Sequence, residues 1–178
     1  MLLEDVKGVG KASLQKLNKL GIFTADDLIG YLPKSYIDLT KPVSVYDAED
    51  GQFLLLNLKI VKVTGIAKVK GMSFFKAYAE CLTEPEGKRG LWNKNSALKI
   101  VITWFNQPYQ RGNVKVGDEY YFFGKVRFDG SKAELANPQF ERADARKNLV
   151  GIMPVYKTRG SIAQSTFRNM IRSALKSF

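Results

Sequence analysis

Five β-rich segments separated by turn signals occupy the middle of this chain and constrain its fold more than any other feature. Each is rich in Val, Ile, Phe and Tyr, which favour extended structure. Residues 107–116, between the third and fourth segments, leave room for one short helix, and Asp129-Gly130 favours a tight hairpin between the fourth and fifth. The pattern predicts a mainly β protein built on a five-stranded OB-type barrel. The predicted strands are Phe53–Gly65, Met72–Leu82, Ala97–Phe105, Glu119–Phe128 and Lys132–Ala136.

Both ends of the chain have helical patterns. Near the N terminus, leucines recur at helical spacing after a glycine turn, and Thr24 is a good cap for a second short helix. Near the C terminus, a helix that begins at Ser161 or Gln164 carries an apolar stripe. Its members are Phe167, Met170, Ile171, Ala174, Leu175 and Phe178. We therefore divide the chain into a helical segment (residues 1–50), a barrel (51–142) and a basic linker with a helix (143–178), and we expect it to continue into further domains.

The composition narrows the possible classes of function. The 178 residues include 28 Lys and Arg against 17 Asp and Glu, a net charge of +11, which indicates a polyanionic partner. The chain has no His and a single cysteine, Cys81, so it lacks the commonest general base and the ligands of a structural zinc site. An independent enzyme is therefore the poorest candidate. Nothing reads as a signal peptide or a membrane span, and we expect a cytoplasmic protein.

A glycine-rich turn near the N terminus admits two interpretations. The stretch Gly8-Val9-Gly10-Lys11-Ala12 looks like the end of a phosphate loop, but Ala12 stands where Ser or Thr must bind magnesium, so we reject an ATP site. It fits a helix-hairpin-helix turn better, in which Gly8, Gly10 and Lys11 would meet a phosphate at a helix N-terminus. An ordinary αα-hairpin with a glycine turn explains the same residues.

Large aromatic residues at the end of the third predicted strand are the best candidates for nucleic-acid contact. Trp104 and Phe105 end that strand, and Tyr109 follows four residues after Phe105. If residues 107–111 form one helical turn, Tyr109 and Phe105 lie on the same side of the corner. Aromatic rings in a basic protein are suited to base stacking. Alternatively these rings are core, although alternation sends Trp104 and Phe105 to opposite faces of the sheet.

Basic residues near the predicted loops are candidates for binding phosphate. Lys68 and Lys70 fall between the first and second strands, and Lys132 lies beside the loop between the fourth and fifth. OB-folds grip nucleic acid with these two loops. Lys125 and Arg127 have the same parity on the fourth strand and therefore face one way. A solvated strand face explains these two residues equally well.

Several stretches of the chain, in order, resemble the N-terminal portion of the RecG family, bacterial ATP-dependent helicases that act on branched DNA. Their order and spacing make the resemblance far more specific than any one of them alone. The stretches are Val6–Gly10 through Ile22, Asp27–Asp38, Trp104–Asn106 through Gly117, Gly124–Val126, Asn137-Pro138 and Pro154–Lys157 through Arg168.

The resemblance implies a wedge domain, an OB-fold that sits against the junction of a stalled replication fork. In the family, aromatic side chains at the tip of this domain stack on the parting base pairs. By position, Trp104 and Phe105 match the paired aromatics and Tyr109 matches a nearby third ring. The family often has Phe where Trp104 stands, so the resemblance leaves open which of the two rings stacks.

The resemblance also implies partners and a cellular role. The partners would be branched DNA, namely forks and Holliday junctions, and helicase motor domains elsewhere in the full-length chain. ATP and magnesium would bind those motor domains, and no cofactor is expected in this chain. We expect a monomer in the bacterial cytoplasm, associated with the nucleoid, that serves DNA repair and recombination. Two alternatives stay open: a generic single-strand nucleic-acid-binding OB-fold, and an OB module that docks a protein.

Overall fold

The computed structural model describes residues 2–86, 98–145, 149–159 and 162–177. They form two compact units, which are described separately. One unit combines Met1–Ile37 with Ile152–Phe178, and the other is Asp38–Gly151. In chain order the helices and strands are α1 (Lys11–Asn18), α2 (Ala25–Ile29), β1 (Ser35–Leu39), β2 (Phe53–Val63), β3 (Ala67–Val69), β4 (Met72–Cys81), β5 (Lys99–Phe105), β6 (Glu119–Asp129), β7 (Lys132–Ala136), β8 (Gln139–Arg142), β9 (Gly151–Val155) and α3 (Gln164–Lys176).

Five strands of the Asp38–Gly151 unit close into a barrel, which confirms the predicted fold class. Their order is β2-β4-β5-β7-β6, and β6 pairs again with β2 to close the ring. β5 and β7 run parallel, whereas the other neighbours in the ring are antiparallel. A 3₁₀ helix, Pro108–Gly112, fills the connection between β5 and β6, where one short helix was predicted. The strand order and the position of this helix are those of an OB-fold.

In the described residues, the barrel sheet contains two short strands besides the five that were predicted. β3 pairs with the start of β4 and lengthens the hairpin between the first two barrel strands. β8 continues along the edge of β6 that β7 occupies, because Leu135 lies opposite Val126 and Gln139 lies opposite Phe123. Between β7 and β8, Asn137 has a φ of +45°, and Pro138 has no N–H to donate to the ladder. The fifth strand is therefore one ladder broken at Asn137-Pro138.

Aromatic rings fill the inside of the barrel, and Trp104 is at their centre. Its indole is fully buried, stacked on Phe75 with ring centroids 4.7 Å apart and edge-on to Phe140 at 5.6 Å. On β6, Tyr120 and Phe122 point inward to the same core. The prediction that Trp104 stacks on DNA is therefore wrong, because alternation along β5 turns its ring into the core.

The other unit has one hydrophobic core built from both ends of the chain. Leu17 of α1 and Leu28 of α2 share a buried cluster with Phe167 and Met170 of α3. Most of the predicted apolar stripe of α3 is buried as expected, whereas Leu175 is 56% exposed and Phe178 lies outside the described residues. α3 begins at Gln164, the second of its two predicted start points.

Local hydrogen bonds fix the ends of elements in this unit. Thr24 and Asp27 form a reciprocal capping box at the start of α2, as the N-terminal pattern indicated. β1 and β9 form a separate two-stranded sheet. The sequence-based division into residues 1–50, 51–142 and 143–178 treats the two ends of the chain as separate segments. That division stays a prediction. In the described residues, no helix is long and apolar enough to cross a membrane.

Replacing Trp104 with Ala should lower the free energy of unfolding by about 3–5 kcal/mol, because it empties the centre of the barrel core. Trp104→Phe should cost far less, because it keeps a ring against Phe75 and removes an indole N–H that is buried without an acceptor in the described structure. Urea denaturation of both variants measures the difference. Equal midpoints for the parent and Trp104→Ala would show that this ring does not support the core.

Candidate nucleic-acid interface

One end of the barrel brings together two of the three predicted stacking residues and two of the predicted lysines. The end of β5 lies beside the start of β4, with Phe105 opposite Phe74, and Phe74 in turn lies opposite Ala67 of β3. Lys68 lies opposite Ser73 in the same hairpin. We call this end of the barrel the tip and define it by Lys68, Lys70, Phe74, Phe105 and Tyr109.

Phe105 is the ring that β5 presents to the outside. It is the next residue after the buried Trp104, so alternation turns it to the outer face, where it is half-buried. Its neighbour across the ladder is Phe74, with ring centroids 6.3 Å apart and an interplanar angle of 44°. The two rings form an apolar ledge at the end of the barrel. Phe74 was not singled out from the sequence, because its partner across the ladder is 31 residues away in the chain.

Two asparagines in left-handed backbone conformations fix the chain around Phe105. The Phe105 N–H donates to Oδ1 of Asn137 at 2.8 Å. The Asn106 N–H donates to the Ser73 carbonyl at 2.7 Å, and the Ser73 N–H donates to Oδ1 of Asn106 at 3.2 Å. Asn106 and Asn137 have φ values of +55° and +45°, which asparagine tolerates better than most residues. The end of β5 is thus tied to the strands on both of its sides.

Tyr109 projects from the 3₁₀ helix that follows Phe105. Pro108 opens this helix with a φ already suited to the turn, and the Tyr109 side chain is 67% exposed. The Arg111 Nε–H donates to the Thr64 carbonyl at 2.8 Å, which anchors the helix to the segment after β2. Tyr109 is therefore an exposed ring on an anchored support, and the predicted helical turn is present.

The β3–β4 hairpin adds charge and apolar surface to the tip. Lys70 and Gly71 form its turn with φ values of +49° and +81°. Lys68 lies within β3 rather than in a loop as predicted, because the hairpin is longer than the sequence pattern indicated. Lys68 and Lys70 are both exposed. The sequence prediction missed the exposed apolar residues of this segment, which are Ile66, Val69 and Met72.

The structure places the other predicted barrel cations away from the tip. Lys132 lies opposite Lys99 at the start of β5, about 20 Å along the strand from Phe105. Lys125 and Arg127 are exposed on one face of β6, as predicted from their parity. Lys125 lies opposite Phe53, where β2 begins, whereas the tip lies beyond the end of β2. The phosphate role of these three residues stays a prediction.

Arg127 already has an anionic partner. Its guanidinium forms an exposed ion pair with Asp50 at 3.1 Å. The Asp50 carboxylate also accepts a hydrogen bond from the Phe128 N–H at 2.8 Å, and this bond, followed by the contacts with Arg127, lowers the pKa of Asp50 below its usual value. A phosphate would have to compete with Asp50 for Arg127, so Arg127 is a weaker candidate than Lys68 or Lys70.

The glycine turn near the N terminus leads directly into α1. Gly8 has a φ of +97°, and α1 begins at Lys11 with Gly10 as its N-cap residue. These residues belong to the unit built from the two chain ends, whereas the tip belongs to the barrel unit. Phosphate binding by Gly8, Gly10 and Lys11 stays a prediction.

A closed OB-type barrel with an aromatic, basic tip defines a class of nucleic-acid-binding proteins. Comparison with known proteins narrows the class. The RecG wedge domain family model matches residues 3–178. The chain belongs to the RecG wedge domain family.

Individual relatives agree with this assignment. The ATP-dependent DNA helicase RecG of Thermotoga maritima is 25% identical over 98% of this chain and 21% of its own length. RecG of Streptococcus pneumoniae is 28% identical over 97% of this chain and 23% of its own length. A solved structure of RecG bound to a three-way DNA junction matches the fold with a TM-score of 0.74 at 24% identity, over 99% of this chain and 22% of that one. The chain thus spans less than a quarter of these relatives.

Asn137→Gly should lower the free energy of unfolding by about 1 kcal/mol, because it removes the acceptor of the Phe105 N–H while keeping a residue that adopts positive φ freely. Asn137→Asp keeps an acceptor oxygen and should stay close to the parent at neutral pH. Urea denaturation compares the three proteins. If Asn137→Gly matches the parent, this hydrogen bond does not hold the end of β5.

Proposed function

We propose that this chain is the DNA-junction wedge of a RecG-type helicase and that its tip stacks on the bases at the point where the strands part. The observation that carries the proposal is the pose of Phe105 and Tyr109. Phe105 is half-buried and Tyr109 is exposed at one end of the barrel. The Phe105 N–H is bonded to Asn137, and Arg111 in the helix that carries Tyr109 is bonded to the Thr64 carbonyl. Lys68 and Lys70 beside them supply charge for the phosphates of the DNA arms.

The energies of stacking and unstacking are of similar size. Partly unstacking one base step costs a few kcal/mol, and stacking a base on an aromatic side chain is worth about 1–3 kcal/mol. A fixed ring therefore offsets much of the cost of opening the terminal pair without reading its sequence. This property suits a protein that meets junctions of any sequence, and the membership of the RecG wedge domain family supports it.

The full-length protein is proposed to be an ATP-dependent DNA helicase acting on forks and Holliday junctions in DNA repair and recombination. Its relatives carry the name of such a helicase, and this chain matches less than a quarter of their length. ATP and magnesium would bind motor domains outside this chain. The protein would work as a monomer in the bacterial cytoplasm, where the motor draws both template strands past the wedge.

Tyr109→Ala and Phe105→Ala should each weaken binding to a model fork by about 1–3 kcal/mol, the worth of one base stack. Phe53→Ala is the matched control, because Phe53 is 58% exposed at the opposite end of the barrel. Titration of a fluorescently labelled fork, with linear duplex and single strand as reference ligands, measures the losses, and thermal melting checks that each variant folds. If Tyr109→Ala and Phe105→Ala both bind the fork as Phe53→Ala does, the tip does not stack on DNA. A preference for unbranched single strands over forks would instead support a generic OB-fold.

Fork binding should weaken steeply as salt rises, because bound lysines release counterions from DNA. Replacing both Lys68 and Lys70 should lower the slope of log K against log salt by about 1.8 on duplex arms, at about 0.9 for each lost phosphate contact. Lys68→Gln and Lys70→Asn are suitable changes, because Asn tolerates the positive φ of Lys70. Titrations at several salt concentrations give the slope. A flat salt response in the parent would favour a protein-docking role for the exposed Ile66, Val69 and Met72.

A further inference from the structure

A β-bulge in β2 moves one lysine to the outer face of the barrel. Before the bulge, Lys59 lies opposite Glu80 and Ile60 lies opposite Ala79; after it, Lys62 lies opposite Tyr78, so Val61 has no partner in the register. If the same residues paired regularly with no bulge, strict alternation would turn Lys62 towards the barrel interior with Ile60. Bulges re-aim side chains in this way, often next to functional sites.

The re-aimed Lys62 joins a row of basic residues that leads to the tip. Its ammonium lies over the Tyr78 ring, 6.0 Å from the ring centroid. Tyr78, Lys76 and Phe74 alternate along β4 and therefore lie on the same face of that strand, with Phe74 at the tip. The Lys76 N–H donates to Thr64 Oγ1 at 2.9 Å, and its carbonyl accepts from the Thr64 N–H at 2.8 Å, which holds this part of β4 on the end of β2.

The neighbouring surface of β5 is closed to a ligand. Val101 and Thr103 alternate with the core residues of β5, yet they are only 4% and 8% exposed. OB-folds commonly bind oligonucleotides on the face of their second and third strands, which are β4 and β5 here. In this barrel the accessible part of that face is therefore displaced from β5 towards β2, where Lys59 and Lys62 are exposed.

We propose that the outer face of β2 and β4 guides one parted single strand of DNA away from the tip, with Lys62 and Lys76 contacting its phosphates. The inference rests on the proposed function of the tip. The row continues directly from Phe74, where the rings would separate the bases. Along β4, Lys76 lies about 7 Å beyond Phe74, and Lys62 of β2 lies across the ladder from the next outward residue, Tyr78. The two lysines thus lie on neighbouring strands, one after the other from the tip, where a single strand of DNA can contact both.

The test uses the whole chain and two labelled forks, one with a single-stranded arm and one with all arms duplex. Lys62→Gln and Lys76→Gln remove one charge each and keep most of the aliphatic stem. Lys41→Gln is the matched control, since Lys41 is exposed and lies outside the row. On the fork with a single-stranded arm, each row variant should lower the slope of log K against log salt by about 0.7, and the double variant by about 1.4. On the all-duplex fork the slopes should match that of Lys41→Gln.

The outcomes separate this proposal from that of the tip. If Tyr109→Ala weakens fork binding while the Lys62 and Lys76 variants keep the control slope on both forks, the proposed strand path is wrong. The stacking role proposed for the tip is retained in that case. Equal slope losses on both forks would mean that the face binds duplex, which also overturns the path. If the parent binds neither fork, both proposals fail.

Discussion

The pairing of β2 with β6 is the interaction on which the rest of the barrel unit depends. Seven consecutive residue pairs, from Phe53 opposite Lys125 to Lys59 opposite Glu119, join the first barrel strand to the fourth. This pairing removes the free edges that an open sheet would expose and defines one enclosed interior. Once the interior is filled by Trp104 and its neighbouring rings, the direction of every alternate side chain is set. The exposure of Phe105 follows from the burial of Trp104, because consecutive residues of a strand point to opposite faces.

Rigidity at the tip matters because stacking gains are small. Ordering a mobile side chain on binding costs about 0.5–1.5 kcal/mol, a large part of the 1–3 kcal/mol that one base stack supplies. The bonds of Asn137 and Asn106 fix the backbone at Phe105 before any ligand arrives, and the Arg111 contact fixes the helix that carries Tyr109. The supports of both rings are thus set before binding, which leaves only the side chains themselves to be ordered. The left-handed backbone at the two asparagines is strain that the neighbouring hydrogen bonds maintain.

The local pattern of the sequence was enough to predict the barrel strands, the short helix after the third strand and the capped helix α2. It also placed Phe105 and Tyr109 among three candidate rings, and it required that Trp104 and Phe105, as adjacent residues of a strand, point to opposite faces. Local alternation is the same whether Trp104 or Phe105 faces inward. Which of the two does so depends on how the sheet closes, and the sequence pattern does not show this. The core shared by Leu28 and Phe167 was missed for a related reason, since contacts between distant segments leave no periodic signal. The broken fifth strand was missed because Asn137-Pro138 reads as the end of a strand.

The net charge of the chain does not show which cations can bind a phosphate, because this depends on the side chains that each cation already contacts. Arg127 and Lys62 are both cations on outward faces of barrel strands, yet Arg127 is paired with Asp50 and Lys62 is set over an aromatic ring. The ring leaves the positive charge of Lys62 available to a phosphate, whereas a phosphate at Arg127 would compete with the Asp50 carboxylate. The register shift between Ile60 and Lys62 decides on which face Lys62 lies. Regular pairing of the same residues would turn this cation towards the core, where an unpaired charge is strongly disfavoured. Deletion of Val61 would instead remove the bulge and leave Lys62 facing outward, so the bulge accommodates Val61 while it preserves the outward direction of Lys62.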